Sequence, residues 1–541
     1  MTVKNKRGKG SDPKKAKTPG PCWLHAPIII VIGLLVYAPS LRNGFTNWDD
    51  QEYITDNQDL NDASLHKHFV EKPEVMGNYH PLTMLTLAWS HGMAQDPRTG
   101  VLDAGVFHLT DLLVHLASGL LVYLLIFRLR GDGLIALGTA VLFVMHPMHV
   151  ESVAWASERK DVLYVFFLLG ALFCYTAHLR SSRPWYLLST AVLFVAALLS
   201  KAMAVSLVPV LFLIDFHQGR KWTWRVLAEK LPFIALALWA GLRAIAAQDA
   251  FGSIQDAGTY PLWQRALFGC YGLSFYVLKF FWPSGLSAFH AYPTPGLPLP
   301  WPYWAAPLFV VVCAFLAWRS RKDRDVLFGA GFFFFTVVHV LQLLAVGGAV
   351  VAERFTYLPY VGLGFAFCAL LKSCVEEHPR WRTLTIAAMG LFVIGLSATA
   401  RGRSLVWKDG IALWSDAYAK DDRSPKILNN YGVALNIANR HAEALGMLDL
   451  ALQRKSDYDE AFYNRGLAKY YLGRHPEAIE DYTRAIELAP ELAVAWFNRA
   501  GTYFTVGRPD LALPDALKAQ ELGYAVDPEF IEVLRQRAQA R

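Results

Sequence analysis

Four short stretches hold the residue types best suited to chemistry. Asn47-Trp48-Asp49-Asp50-Gln51-Glu52 puts two adjacent carboxylates, with a third two residues on, just beyond an apolar run. Such a group could supply a general base or hold a metal. The competing explanation is a solvated acidic loop, because Asp56, Asp59, Asp62, Glu71 and Glu74 follow. His146-Pro147-Met148-His149-Val150-Glu151 and then Glu158-Arg159-Lys160-Asp161 gather titratable groups at the end of another apolar run. Charges at a lipid boundary are costly and tend to mark function, although interfacial snorkelling with local ion pairing is the plainer alternative. His149 and Glu151 do not have a helical metal-ligand spacing, which argues against zinc. Lys201 falls between two apolar windows, and Glu353-Arg354 lies inside VVAERFTYLPY. A cation in either place could pair with a phosphate, arginine through its planar donor fork. Against this stand a snorkelled turn lysine and an internal Glu353–Arg354 salt bridge.

These clusters need a membrane scaffold. Of the 541 residues, 54% are hydrophobic and 18% charged, whereas soluble chains carry about 25% charged residues. A crossing needs about 20 apolar residues, and windows near 25–41, 106–127, 133–147, 161–179, 185–200, 202–216, 231–247, 263–283, 303–318, 327–346, 355–373 and 383–400 qualify. Residues 1–24 form a tail whose Lys4, Lys6, Arg7, Lys9, Lys14, Lys15 and Lys17 outweigh Asp12. Its charge predicts a cytoplasmic anchor rather than a nucleic-acid site, and no nucleic-acid partner is expected. The basic loops after it lead to eleven crossings, with 263–283 re-entrant or interfacial. The polar excursions 43–104 and 148–160 and the C-terminal region then lie on the non-cytoplasmic side of a polytopic domain spanning 25–403. Cys174, Cys270, Cys313 and Cys368 lie within apolar runs, with Cys22 and Cys374 flanking others. This spacing fits small hydrophobes rather than disulfides or zinc ligands.

Residues 404–541 follow a different rule. Asn430, Asn464 and Asn498 recur every 34 residues, as do Ala444, Ala478 and Ala512, and Ala451, Ala485 and Ala519. Gly473 and Gly507, with Asn439 in the earlier copy, suit the left-handed turn between two helices. A 34-residue helix-turn-helix period is the tetratricopeptide signature. It predicts repeats over 425–458, 459–492 and 493–526, with helical caps at 405–420 and 527–541, and a kink at Pro514. The fold class is therefore all-α, a membrane helical domain followed by a repeat superhelix. The three asparagines share one position on the groove-lining helices, where their amides could grip an extended peptide backbone or simply solvate the groove. Arg465 and Arg499 could add attraction for an acidic partner.

FTNWDDQEY, HPMHVESVAWASERKDVL, LLSKAMAV and VVAERFTYLP, in this order and followed by Trp407 and the repeats, resemble the transmembrane and tetratricopeptide repeat-containing family. The resemblance implies a GT-C fold and protein O-mannosylation from a polyprenyl-phosphate sugar. It implies that Asp49 or Asp50 takes the proton of an acceptor Ser or Thr hydroxyl as that attacks the anomeric carbon, with inversion. Arg354, Lys201 and Arg159 would stabilise the leaving lipid phosphate, while His149 and Glu151 orient the sugar or the acidic loop. His146 and Glu353 complete the implied substrate-binding set. No metal is predicted, since family members do not all use one. The chain departs from the family pattern in Ser200-Lys201-Ala202, in His80 where the family has arginine before Pro-Leu-Thr, and in having three repeats. A lipid bilayer, a polyprenyl-phosphate sugar and a protein acceptor held by the repeats are the expected partners. A non-catalytic repeat scaffold, or an enzyme or flippase acting on lipid-linked glycan, are the competing classes. The short array and the lack of Asn-X-Ser/Thr predict a bacterial inner membrane with periplasmic repeats, the alternative being the endoplasmic reticulum with lumenal repeats.

Overall fold

The computed structural model describes residues 20–253, 259–343 and 346–539. Most of the basic tail, residues 1–19, lies outside the described residues. Every predicted apolar window contains a helix, from His25–Tyr37 through Ala104–Arg130, Gly133–Met145 and Arg159–Ser181 to Tyr360–Glu377 and Arg382–Ser404. The ends follow local rules. Gly131, at φ 74°, closes Ala104–Arg130 in the left-handed cap conformation, and Asp132 then caps the next helix by accepting from Leu134 N at 2.9 Å and Ile135 N at 3.1 Å.

Eleven crossings were expected. Among the described residues, six helices are individually long and apolar enough to cross, or seven if Gly133–Met145 and Pro147–Ala154, bent by 54°, make one broken span. Pro184–Ser200 and Leu207–His217 are shorter, and Leu262–Phe281, the window expected to be re-entrant, is not among the six. Trp301–Arg319 leaves Leu308, Val311 and Phe315 exposed on its surface. An apolar helix with so little of its face covered by protein is solvated by lipid, so this is a membrane protein. Where helices do meet, small residues allow close approach. A Cβ on Gly362 would stand 2.5 Å from the carbonyl oxygen of Gly329 on the neighbouring helix Arg324–Val337.

The helix pairs Pro425–Ile437 with His441–Arg454, Asp459–Tyr471 with His475–Leu488, and Ala493–Thr505 with Pro509–Glu521 occupy the three predicted repeats, between Gly410–Tyr418 and Pro528–Gln539. Asn439, Gly473 and Gly507 adopt positive φ of 58°, 76° and 74° in the expected turns. Pro514, where a kink was expected, lies inside the continuous helix Pro509–Glu521. The repeats are not merely tethered. Fully buried Trp407, Leu413, Trp414 and Ile427 belong to the same continuous core as Ile29, Trp155 and Tyr357 of the membrane domain.

Candidate active site

The chain leaving the first helix is bound to the start of the repeat region before it reaches the acidic motif. Asn43 Nδ2 donates to Ser404 O at 3.0 Å, Gly44 N to Lys408 O at 2.8 Å, and Asn47 Nδ2 to Asn430 O at 3.0 Å. Trp48 stacks on Trp155 at 4.7 Å and lies 5.1 Å from Trp414. Three distant parts of the sequence thus hold the motif in one place.

The two adjacent aspartates have different occupations. Asp50 is 1% exposed. Its Oδ2 accepts from Thr46 N at 2.7 Å and Thr46 Oγ1 at 3.0 Å, and its Oδ1 accepts from Ser157 N at 3.0 Å. Burial raises its carboxyl above the ordinary range, opposed by these hydrogen bonds. Asp50 is a clamp between the excursions 43–104 and 148–160. Half-buried Asp49, by contrast, has a side chain with no hydrogen bond or ion pair among the described residues. Its electrostatic neighbours are Lys160, Glu158, Arg354 and Asp50, and burial raises its carboxyl while Lys160 and Arg354 pull it back. A raised, unoccupied carboxylate next to cations is suited to receive a proton.

Beside Asp49 lies an ionic cluster centred on buried Glu158. Its carboxylate meets Lys160 Nζ at 3.2 Å, Lys201 Nζ at 3.3 Å and Arg354 Nε at 3.4 Å. Lys201 also reaches Asp161 at 2.6 Å. Glu151 accepts from Arg354 N at 2.9 Å and from the Arg354 guanidinium. These pairs leave donors in reserve. Lys160 spends one of its three N–H bonds on Glu158, its nitrogen lying 4.5 Å from the Tyr53 ring centre. Sequence reasoning overlooked Lys160 as a site residue, although it stands next to Arg159 in the same charged run.

Lys160 and Lys201 open onto a cavity of about 390 Å³, also lined by Asn78, His80, Met203 and Phe355. One wall is a hairpin, Glu74–Val75 paired with Asn78–Tyr79, whose turn residues Met76 and Gly77 have φ of 48° and 68°. Two positive φ values are the requirement of a two-residue I′ turn. The turn is fastened to helix Leu231–Ala250 by Gln248 Nε2, which donates to Gly77 O at 2.7 Å. A second hollow of about 350 Å³ lies between the acidic loop and the first repeat, lined by Thr46, Asn47, Asp409, Ile411, Ala434 and Ile437.

Other expected site residues are elsewhere or otherwise engaged. Arg159 turns into the protein, donating to Asp111 at 2.7 Å, Thr86 O at 2.9 Å, Ser90 Oγ at 2.5 Å and Phe107 O at 3.1 Å. It is a strut rather than a phosphate ligand. His146 Nε2 donates to Phe280 O at 3.0 Å and its Nδ1 accepts from Met148 N at 3.2 Å, stabilising the break in the bent helix pair. His149 Nδ1 donates to Phe143 O at 2.8 Å, and its ring is enclosed by Phe143, Tyr357 and Tyr360. Glu353 is fully buried and faces Arg403 at 3.6 Å, while Arg403 holds Asp416 at 2.5 Å. That chain of charges joins the membrane domain to the repeat cap instead of entering the cavity.

Two of the repeat asparagines are tied to the preceding repeat, and the first to its own chain neighbour. Asn464 Nδ2 donates to Asn429 Oδ1 and Asn498 Nδ2 to Tyr463 Oη, each at 3.0 Å. Asn430 Oδ1 accepts from Asn429 at 3.3 Å. Arg465 is bidentate to Asp481 at 2.9 and 2.6 Å, and Arg499 to Asp515 at 2.6 and 2.9 Å. Neither arginine is left over for an acidic partner.

The tetratricopeptide repeat family matches residues 459–492. Protein O-mannosyl-transferase TMTC1 of Homo sapiens is 24% identical over 528 residues, covering 85% of this chain and 58% of the relative. Protein O-mannosyl-transferase TMTC2 of Mus musculus is 29% identical over 205 residues, covering 35% of this chain and 24% of the relative. Among solved structures, MamA is 24% identical and covers 28% of this chain and 84% of that one, with a TM-score of 0.20. The chain thus spans less than two thirds of the length of these curated relatives. They fit the transmembrane and tetratricopeptide repeat-containing family, and the similarity to human TMTC1 extends well beyond the quoted motifs.

Proposed function

We propose that this chain is an integral-membrane glycosyltransferase that moves a hexose of the mannose class from a polyprenyl-phosphate donor to Ser or Thr hydroxyls of a protein, on the non-cytoplasmic side. The observation that carries this reading is the split within the acidic pair. Asp50 is spent on structure, while Asp49 stands free next to Lys160 and Arg354. The names of the similar proteins support the reaction class. Asp49 takes the proton of the acceptor hydroxyl as its oxygen attacks the anomeric carbon, and the carbon–oxygen bond to the lipid phosphate breaks. A phosphate leaves without protonation, so one base is enough. Lys201 and Lys160, at the cavity wall, and Arg354 meet the charge that grows on the phosphate. The acceptor approaches along the repeats through the hollow beside Asn47.

Transfer of labelled mannose from polyprenyl-phosphate mannose to peptide, by purified wild type and Asp49→Asn protein, tests the proposal. Loss of transfer in a folded variant is the expected outcome. Undiminished transfer would remove Asp49 from the mechanism, and product found only on lipid-linked glycan would move the chain to the glycan-acting class. Retention of repeat partners and cellular phenotype by an Asp49→Asn/Arg354→Gln double variant would favour the scaffold class.

A further inference from the structure

His80 is a polar cavity residue that the proposed chemistry does not employ. It is 2% exposed, stacks on Tyr53 with ring centres 5.4 Å apart, and lines the same cavity as Lys160 and Lys201. Neither nitrogen of its imidazole has a hydrogen-bond partner among the described residues; Nε2 is fully enclosed. A buried polar group without a partner is costly unless something else supplies one. His146 and His149 differ in that each donates one ring N–H to a backbone carbonyl that fixes the ring.

The chemistry of the missing partner can be narrowed. Burial and the two neighbouring lysines hold the His80 imidazole neutral, its pKa pushed down to about 3. A neutral imidazole offers one N–H donor and one acceptor, which matches the hydroxyls of a sugar; phosphate, an acceptor only, is better met by the lysines. Lys160 lies over the same Tyr53 ring against which His80 is stacked, so the imidazole and the ammonium share one wall.

We infer that His80 is a specificity-determining residue that hydrogen-bonds a hydroxyl of the transferred sugar while Lys160 and Lys201 hold the phosphate beyond it. This rests on the glycosyltransferase reading and adds which residue selects the sugar. The contact differs from that of a guanidinium at the same position, which donates only, so a hexose is read here through an acceptor as well.

The test compares kcat/KM for polyprenyl-phosphate mannose with its monodeoxy analogues in wild-type, His80→Phe and His80→Gln protein, with melting temperatures to confirm folding. In wild type, one analogue is expected to be disfavoured by about tenfold or more, the loss from one unpaired buried group. That discrimination collapses in His80→Phe, survives in part in His80→Gln, and does not vary between about pH 5 and 8, because the ring does not titrate there. Unchanged ratios for every analogue in His80→Phe overturn this assignment and leave the reaction class standing. Absence of transfer from any lipid-phosphate sugar by the wild type overturns the reaction class and this assignment with it.

Discussion

Two buried ionic networks lie in different parts of the helical domain and are built to different ends. In one, Lys230 Nζ meets Asp215 at 2.8 Å and Tyr175 Oη at 2.5 Å, Tyr175 donates to Asp215 at 2.6 Å, and Arg220 is bidentate to Glu229 at 2.7 and 2.9 Å. Each member has a protein partner. The cluster around Glu158 is equally rich in charge, but Asp49 and His80 beside it lack partners, and Lys160 and Lys201 face a cavity. Charge density does not separate a strut from a site. The separation comes from unused donors and acceptors next to open volume, since those are the groups a substrate would complete.

Experiments that remove members of the two networks can break that comparison. The largest effect is expected from Asp49→Asn, a loss of about 10²–10⁴-fold in kcat with little change in melting temperature, measured by labelled-sugar transfer. Lys230→Met reverses the pattern. It removes the closest cation from buried Asp215 and should destabilise the fold by about 3–5 kcal/mol, seen as lost melting temperature, while the folded fraction keeps its specific activity. Asp50→Asn falls between them. It removes a carboxylate oxygen that Thr46 or Ser157 needs, costing about 1–3 kcal/mol in denaturation and loosening the loop that carries Asp49.

The pH profile sharpens the point. A base works deprotonated, so kcat/KM falls as pH drops through the Asp49 pKa, and burial places that acid limb above the ordinary carboxylate range. Lys160→Met removes a cation that lowers it, so the limb should move to still higher pH. The smallest effect is expected in the repeats. Asn464→Ala should cost about 1 kcal/mol in thermal unfolding, and if the amide serves only as a tie to Asn429, peptide affinity measured by titration will follow stability and nothing more.

Much of the fold was legible before any coordinates. Each apolar window became a helix, and the 34-residue recurrence of Asn430, Asn464 and Asn498 set the repeats, because both signals are local and periodic. The count of crossings was less so: helix length depends on caps such as Gly131 and on breaks such as that after Met145, which hydropathy averages away.

The site was half legible. Sequence by itself determined that the motif at 49–50, the run 158–161, Lys201 and Arg354 carry charge at the ends of apolar segments, and that a repeat array follows. Only tertiary structure decided, within each adjacent pair, which member is structural and which keeps bonding capacity unused: Asp50 and Arg159 are absorbed, Asp49 and Lys160 remain. The physical reason is directional. Neighbouring residues point their side chains about 100° apart on a helix, and further apart in extended chain. Chemical type is written in the sequence, but the partner that consumes a donor or acceptor comes from Ser157 or Asp111, far along the chain, and is settled only when the helices have packed.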